Sequence, residues 1–417
     1  MLAESTESES NSISLFEAFG VEVEYMIVHD TSLDVAPIAD QVLRDEEGQP
    51  SEEVEHGDIA WSNELAAHVV ELKTNGPAPS FAGLAQKFQA NVNEINASLG
   101  QIGALLMPSA MHPWMRPELE MKLWPYGYNE VYEAFNVIFN CTGHGWANLQ
   151  SCHLNLPFAT DEEFGRLHAA IRLLLPILPA LTASSPVCER QMTPHLDHRL
   201  ETYRHNADRI PQVAGHVIPE AVFTRKDYEE QILQPIYDAM APLDLPGVLR
   251  HEWANSRGAI ARFMRNTIEI RVMDVQEHPA ADVAICQLVA NVAKALTEEK
   301  WSSTAEQQKA ETKRLKEIFL NVIDDADETV IVDPDYLQHF GWTEGTCTAN
   351  QLWRSLADQF PVEEKPLADA LQVILEEGTL AHRIVRTLHG KFESRLLPVY
   401  RELCGCLQEG RSFHGLD

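Results

Sequence analysis

An α+β fold built on an open, mostly antiparallel sheet is predicted by three features of this chain. Its strand-like segments alternate apolar and charged residues, as in Gly20-Val21-Glu22-Val23-Glu24-Tyr25 and Thr267-Ile268-Glu269-Ile270-Arg271-Val272. They lack the continuous apolar runs of a parallel sheet buried on both faces. They come in hairpin-like or separated pieces among long segments of helical period. Such a sheet has a convex face covered by helices and a concave, polar face left open. That polar face is a place to hold divalent metals and a polyphosphate.

In chain order, residues 1–14 are rich in Ser and Glu and read as a disordered tail. A strand follows over 19–28. Side chains alternate along a strand, so Val21, Val23 and Tyr25 take the core side and Glu22 and Glu24 share the other. Residues 30–58 are polar and acidic and read as a loop with some helix. His68–Thr74 is a short strand closed by the turn Asn75-Gly76-Pro77. Glu64 and Glu71 are an odd number of positions apart. A loop or bulge must therefore intervene before both can join the polar face. Ser80–Leu106 has helical period, with Leu84, Phe88, Val92, Ile95 and Leu99 on one side and Ser80 at the N-cap. Trp146–Pro157 reads as strand and carries Gln150 and His153. Thr160-Asp161-Glu162-Glu163 opens a helix with acids at its positive end.

Thr267–Asp274 repeats the first strand's pattern. Ile268, Ile270 and Val272 face inward, and Glu269 and Arg271 look outward about 7 Å apart, a spacing that suits two separate ligands better than a mutual ion pair. Asp274 reads as a structural cap. Helices are predicted over 281–296, 304–323 and 366–388. The chain thus divides into a tail (1–14), a core (15–300) and a mostly helical region (301–417) packing on that core.

An alternating strand by itself is usually just half-buried, with water on its charged side. Repetition argues for more here, because several segments across the first two-thirds of the chain project carboxylates and one also projects an arginine. The 417 residues hold 63 acidic and 32 basic side chains, a formal charge of −31. That balance argues against nucleic acid, whose phosphates need Lys and Arg, and against anionic membrane surfaces. The seven cysteines follow no zinc spacing and suit a reduced, cytoplasmic setting. No run is read as approaching the roughly 18 apolar residues of a membrane span, and the N-terminus lacks signal-peptide character.

A phosphate-binding Gly-x-x-x-x-Gly-Lys loop and a Gly-x-Ser-x-Gly elbow are both missing from the sequence. Nucleotide chemistry would therefore need metals and basic side chains on the sheet. Six short motifs now fall into an ordered set. They are Phe19–Tyr25, Glu64-Leu65-Ala66-Ala67-His68-Val69-Val70-Glu71, Met111-His112-Pro113-Trp114, Gln150-Ser151-Cys152-His153, Ala183-Ser184-Ser185-Pro186 and Thr267–Asp274. Over residues 18–300 this set resembles the second glutamate–cysteine ligase family, carboxylate–amine ligases with a glutamine-synthetase-like catalytic sheet.

The resemblance implies metal ligands at Glu22, Glu24, Glu64, Glu71 and Glu269. It implies a histidine near the metal–phosphate site at His153, and a phosphoryl-contacting arginine at Arg271. Arg204, Arg257 and Gln150 fall where the family binds substrate or ATP. Two or three Mg²⁺, or Mn²⁺, are implied as cofactors, with ATP as co-substrate. Departures occur at Ser151, where many relatives have histidine, at Asn155, where they have glycine, and in a longer segment carrying Arg262 and Arg265.

The implied reaction suits the residues. A carboxylate is a poor electrophile until ATP converts it to an acyl phosphate, and two anions must be brought together for that. The expectation is an ATP-dependent ligase joining the γ-carboxylate of glutamate to an amine, with cysteine as the default. The same chemistry on another amine or acid, in a peptide-tailoring or secondary pathway, and a non-catalytic metal- or nucleotide-binding relative are the alternatives. A homodimer is left open.

Overall fold

The computed structural model describes residues 12–416. Eight strands form one sheet: β1 (Gly20–His29), β2 (Glu53–His56), β3 (Ile59–Asn63), β4 (Val69–Thr74), β5 (Ala104–Met107), β6 (Ser151–Pro157), β9 (Ala259–Arg262) and β10 (Thr267–Asp274). The two-residue strands β7 (Val187–Cys188) and β8 (Gln191–Met192) make a separate hairpin. The main sheet runs β2-β3-β4-β1-β6-β10-β9, and β5 pairs with the second half of β1. Every pairing in it is antiparallel.

The apolar side of the pleat fixes this arrangement. Val21, Val23, Tyr25, Leu154, Leu156, Ile268 and Ile270 are all fully buried. They pack with the helices Leu84–Gly100 and Pro279–Thr297 in one core. Burying each aliphatic side chain is worth about 1.5–3 kcal/mol. A one-residue slip would exchange those residues for the acids between them, so the register is strongly specified.

Several boundaries differ from the sequence reading, each for a local reason. The supposed loop over 30–58 ends in the β2–β3 hairpin, which turns at Gly57 (φ +67°) and Asp58. The helix begins at Leu84 rather than Ser80. Gly83 precedes it in the left-handed region, and its N–H donates to Glu364 at 3.1 Å. That helix stops at Gly100, and Gly103 (φ +71°) reverses the chain into β5. Residues 304–323 split because Ala310 gives its carbonyl to the buried Arg172 guanidinium at 3.0 Å. Residues 366–388 split at Gly378 (φ +90°), after which Thr379 caps the next helix.

Pro279–Thr297 is, against expectation, long and apolar enough to cross a membrane by length and composition. Here it is the core helix beneath the sheet. Of the Ser/Glu-rich tail, residues 1–11 lie outside the described residues, while Ser12 and Ile13 line an open cleft at the start of β1.

Beyond residue 300 the chain is almost entirely helical. Helix Lys365–Glu377 packs on Pro279–Thr297, and Phe392–Glu409 packs on β5 and Leu84–Gly100. Buried Arg383 holds Glu277 at 2.6 Å. Asp327 takes His382 Nδ1 at 2.6 Å. Burial raises the Asp327 carboxyl, but the His382 hydrogen bond and charge outweigh it and leave the carboxyl below its ordinary range. Burial likewise lowers His382, and the same contact outweighs that and raises it. The histidine's contribution to stability is therefore complete below its ordinary value of 6.5 and fades as pH rises through the elevated folded value. The aspartate's is complete above 3.8 and fades as pH falls through the lowered one. His382→Ala should cost about 1–2 kcal/mol near pH 5.5 and less at pH 9, read from denaturant unfolding at both. An equal loss at the two pH values would remove the ion pair as its cause.

Candidate functional site

The polar side of the pleat carries the chemistry. Across the strands, Lys73 faces Glu22, and Glu22 faces His153. Glu71 faces Glu24 and Ser62. Asn155 lies between Gly20 and Glu269. The hydrogen bonds follow that register. His153 Nδ1 lies 3.0 Å from Glu22, and its Nε2 lies 2.8 Å from Ser151 Oγ. Ser151 donates to Glu24 from its backbone N–H at 2.7 Å and its hydroxyl at 2.9 Å. Asn155 donates to Glu22 at 3.1 Å, and Ser62 donates to Glu71 at 2.6 Å. Gly20 leaves room for this, since a Cβ there would sit 2.9 Å from the Cβ of Asn155.

Two irregularities complete the face. Residues 64–68 form the loop that the odd spacing of Glu64 and Glu71 required, and they bring Glu64 toward Glu24 and Glu71. In β10 the register shifts by one between Ile270 and Met273, so Arg271 and Val272 together oppose His153. This bulge brings Asp274 opposite Ser151, on the same side as Glu269. Asp274 is structural. It accepts from Ser184 N–H and the Ser185 hydroxyl, each at 2.9 Å, and pairs with Arg199 at 3.5 Å. The Ala-Ser-Ser-Pro segment and the last strand are thus parts of one buried network.

Charge is unevenly distributed over the cluster. Burial raises Glu22, but its hydrogen bond to His153 and the nearby Lys73 and Arg262 hold it down at about 2. Burial and the Glu22 charge push Glu71 up to about 7, against the pull of Lys73. Burial, with Glu24 and Glu71 close by, holds Glu64 well above the carboxylate range. Burial lowers His153, but Glu22, Glu24 and Glu269 outweigh it and raise it. Arg271 and Glu269 were expected to stand apart, yet they form an ion pair at 3.2 Å, and Arg262 reaches Glu269 at 3.5 Å. Glu269 is 4% exposed and needs that compensation.

Two trios could hold cations: Glu22 with His153 and Glu269, and Glu24 with Glu71 and His153. Within each trio the donor atoms lie within 4.8 Å of one another. Carboxylate oxygens with one imidazole fit a hard divalent ion such as Mg²⁺ or Mn²⁺. Burial first, and the neighbouring carboxylates second, raise Glu64 and Glu71, and a cation at the Glu24–Glu71–His153 trio would offset both for Glu71. The seven cysteines are buried, free and outside both trios.

The acid row separates two cavities. One, of about 550 Å³, lies at the Glu22 end and is lined by Lys73, Asn155, Thr267, Arg265 and Phe19. The other, of about 470 Å³, holds Glu24, Glu64, Arg271, Arg199 and Tyr203. A further cavity of about 350 Å³, near Arg314 and His339, contains none of these acids.

Glu22, Glu24, Glu64, Glu71, His153, Glu269 and Arg271 therefore come together. Three other expected residues do not join them. Arg204 turns to Glu201 at 3.3 Å. Arg257 is buried and committed to Glu220 at 2.6 and 2.7 Å, which makes it a structural brace. Gln150 is buried just before β6, its N–H bound to Ala110, and lines neither cavity. Arg199, missed in the sequence, lines the second cavity, and Arg204 does not. Lys73 was missed as well, although its parity with Glu71 on a strand would have found it.

The model of the family described as Glutamate-cysteine ligase family 2 matches residues 18–398. The chain belongs to glutamate–cysteine ligase family 2. An uncharacterised protein of Archaeoglobus fulgidus is 30% identical over 394 residues, covering 94% of this chain and 99% of that one. A Bradyrhizobium sp. protein named "Putative glutamate--cysteine ligase 2" is 26% identical over 288 residues, 67% of this chain and 62% of that one. Among solved structures, the glutamate–cysteine ligase of Francisella tularensis in complex with AMP aligns with a TM-score of 0.54 at 12% identity, covering 96% of this chain and 90% of that one. The bifunctional glutathione synthetase of Pasteurella multocida gives 0.54 at 14% identity, with 95% of this chain spanning 52% of that one. These likenesses establish the fold. Membership of glutamate–cysteine ligase family 2 supports an ATP-dependent carboxylate–amine ligase.

A cation displaces protons from its ligands, so it should bind more tightly as pH rises. Mn²⁺ affinity, read by electron paramagnetic resonance, should increase at least about tenfold per pH unit below about 7, where Glu71 still holds its proton and the raised His153 must also give one up. Glu269→Ala should weaken it at least about tenfold. A pH-independent affinity would show that Glu71 is no ligand.

Proposed function

We propose that this chain phosphorylates the γ-carboxylate of glutamate with ATP and transfers the resulting acyl group to an amine. The observation that supports this best is that two cavities border one row of acids, the first at Glu22 and the second at Glu24 and Glu64, with Arg271 in the lining of the second. The cleft at Glu22 and Lys73 is open and carries cationic and amide side chains suited to a polyphosphate. The cavity at Glu24 and Arg271 joins acidic and cationic side chains to an aromatic wall and suits the acid and the amine.

A carboxylate oxygen of glutamate attacks the γ-phosphorus of ATP, and ADP leaves with the electrons of the broken P–O bond. The amine nitrogen then attacks the acyl carbon, phosphate leaves, and the amine gives up a proton as the amide forms. Divalent cations held by the two acid–histidine trios would neutralise phosphate charge. Arg271 contributes a planar fork of donors, fixed by Glu269, aimed at the oxygens of the phosphoryl group in transit. Lys73, steadied by Glu53 at 2.6 Å and Glu71 at 3.6 Å, offers a point charge to the polyphosphate. His153 keeps Glu22 ionised and in place, and Ser151 positions Glu24 through its two hydrogen bonds.

Incubation with ATP, Mg²⁺, glutamate and an amine should release ADP and phosphate in step with amide. AMP and pyrophosphate would mean adenylation and would defeat the acyl-phosphate reading. Arg271→Lys keeps the charge and loses the fork. Its kcat should fall on the order of 10³-fold, with thermal midpoint and ATP affinity little changed. Turnover near that of the unaltered protein would show that Arg271 only braces Glu269.

A further inference from the structure

The first cavity holds a cation that the protein itself leaves unused. At about 550 Å³ the cavity falls within the roughly 300–1,000 Å³ of small-molecule sites. Its lining includes two acids, Glu22 and Glu53, and two cations, Lys73 and Arg265. Lys73 is already tied to Glu53 at 2.6 Å and to Glu71 at 3.6 Å. Arg265 is exposed, and its side chain makes no ion pair or hydrogen bond among the described residues. In a chain of formal charge −31, phosphate oxygens lying beyond the acid row need a cation that no carboxylate has claimed.

Arg265 and Met264 stand at the tip of the β9–β10 hairpin, and that tip is anchored from below. The Arg265 N–H donates to the Arg262 carbonyl at 2.9 Å. Asn266, at φ +51°, closes the turn, and its carbonyl accepts from the Phe158 N–H at 3.0 Å. Phe263 is 6% exposed and packs on Phe164 and Tyr228, with ring centroids 5.2 and 5.4 Å away. Met264 turns the other way. It is 77% exposed, a large apolar side chain beside a cleft whose wall includes Phe19 and Pro157. Phe19 is itself held against Phe81 at 4.3 Å between centroids.

Position along the strand decides which part of a ligand reaches this tip. Thr267, which also lines the cleft, precedes Arg271 by four residues, about 13 Å along β10. A nucleotide lying in this cleft with its γ-phosphoryl at Arg271 therefore carries its ribose and base toward the hairpin. We propose that the β9–β10 tip grips the unreacting end of ATP. The Arg265 guanidinium pairs with the α-phosphate, and Met264 covers the base from the side opposite Phe19. The inference rests on the ligase reading above and deepens it, because it assigns nucleotide affinity to two exposed residues outside the acid row.

The test is calorimetric titration of the full chain with ATP in excess Mg²⁺, at low and at raised ionic strength, with the thermal midpoint of each variant checked. Arg265→Ala should weaken ATP about tenfold or more at low ionic strength and flatten the salt dependence of binding. Arg265→Lys should restore part of both, since it returns the charge without the fork. Met264→Ala should weaken ATP by about fourfold for each methylene the base covers, with the salt dependence of the unaltered protein. Unchanged ATP affinity in Arg265→Ala, or a loss with unchanged salt dependence, would overturn the proposal and leave the ligase reading intact. Full affinity in Met264→Ala would overturn the placement of the base. No ATP binding by the unaltered protein, together with no glutamate-dependent ADP release, would overturn both the proposal and the ligase reading.

Discussion

Mutual repulsion among carboxylates is the constraint around which this fold is arranged. Four glutamates and one histidine share one side of a sheet with Glu64 on a loop beside them, and Glu24, Glu71 and Glu269 are each under 8% exposed. Such crowding survives only on a frame that cannot relax. The frame is the opposite side of the same strands, where aliphatic side chains lock into two long helices. Each strand residue therefore has one of two tasks set by parity. Lys73, Arg262 and Arg271 spread cationic charge along the row, so no acid stands without a neighbour of opposite sign or a hydrogen-bond donor.

Parity is also what made the site readable. Glu22 with Glu24, and Glu269 with Arg271, could be placed on a common face from sequence because strand periodicity is local. The helix face of Leu84, Phe88, Val92, Ile95 and Leu99 was readable for the same reason, and all five are buried. The need for a break between Glu64 and Glu71 followed from counting alone. The β2–β3 hairpin was missed although Gly57-Asp58 between apolar-alternating segments is a two-residue hairpin signal. The charged character of residues 45–58 hid it.

What the sequence did not reveal depended on contacts between distant segments. The motif pattern pointed to arginines near 204 and 257, but it could not reveal that Glu220 captures Arg257 or that Arg204 turns to Glu201. Arg199 sits five residues before Arg204, about one and a half helical turns, and its contact with Asp274, itself held by Ser184 and Ser185, turns it to the cavity. The split helices depend on distant partners in the same way, as when Arg172 claims the carbonyl of Ala310.

Gly20 and Asn155 share one space. The Asn155 amide reaches Glu22 because position 20 has no side chain, and the 2.9 Å approach to a Cβ there leaves no slack. Descent through these two positions is therefore epistatic. A lineage can hold a side chain at 155 only while 20 stays glycine, and a glycine at 155 frees 20 to vary. Moving the side chain from 155 to 20 would take two changes in order, the loss at 155 first.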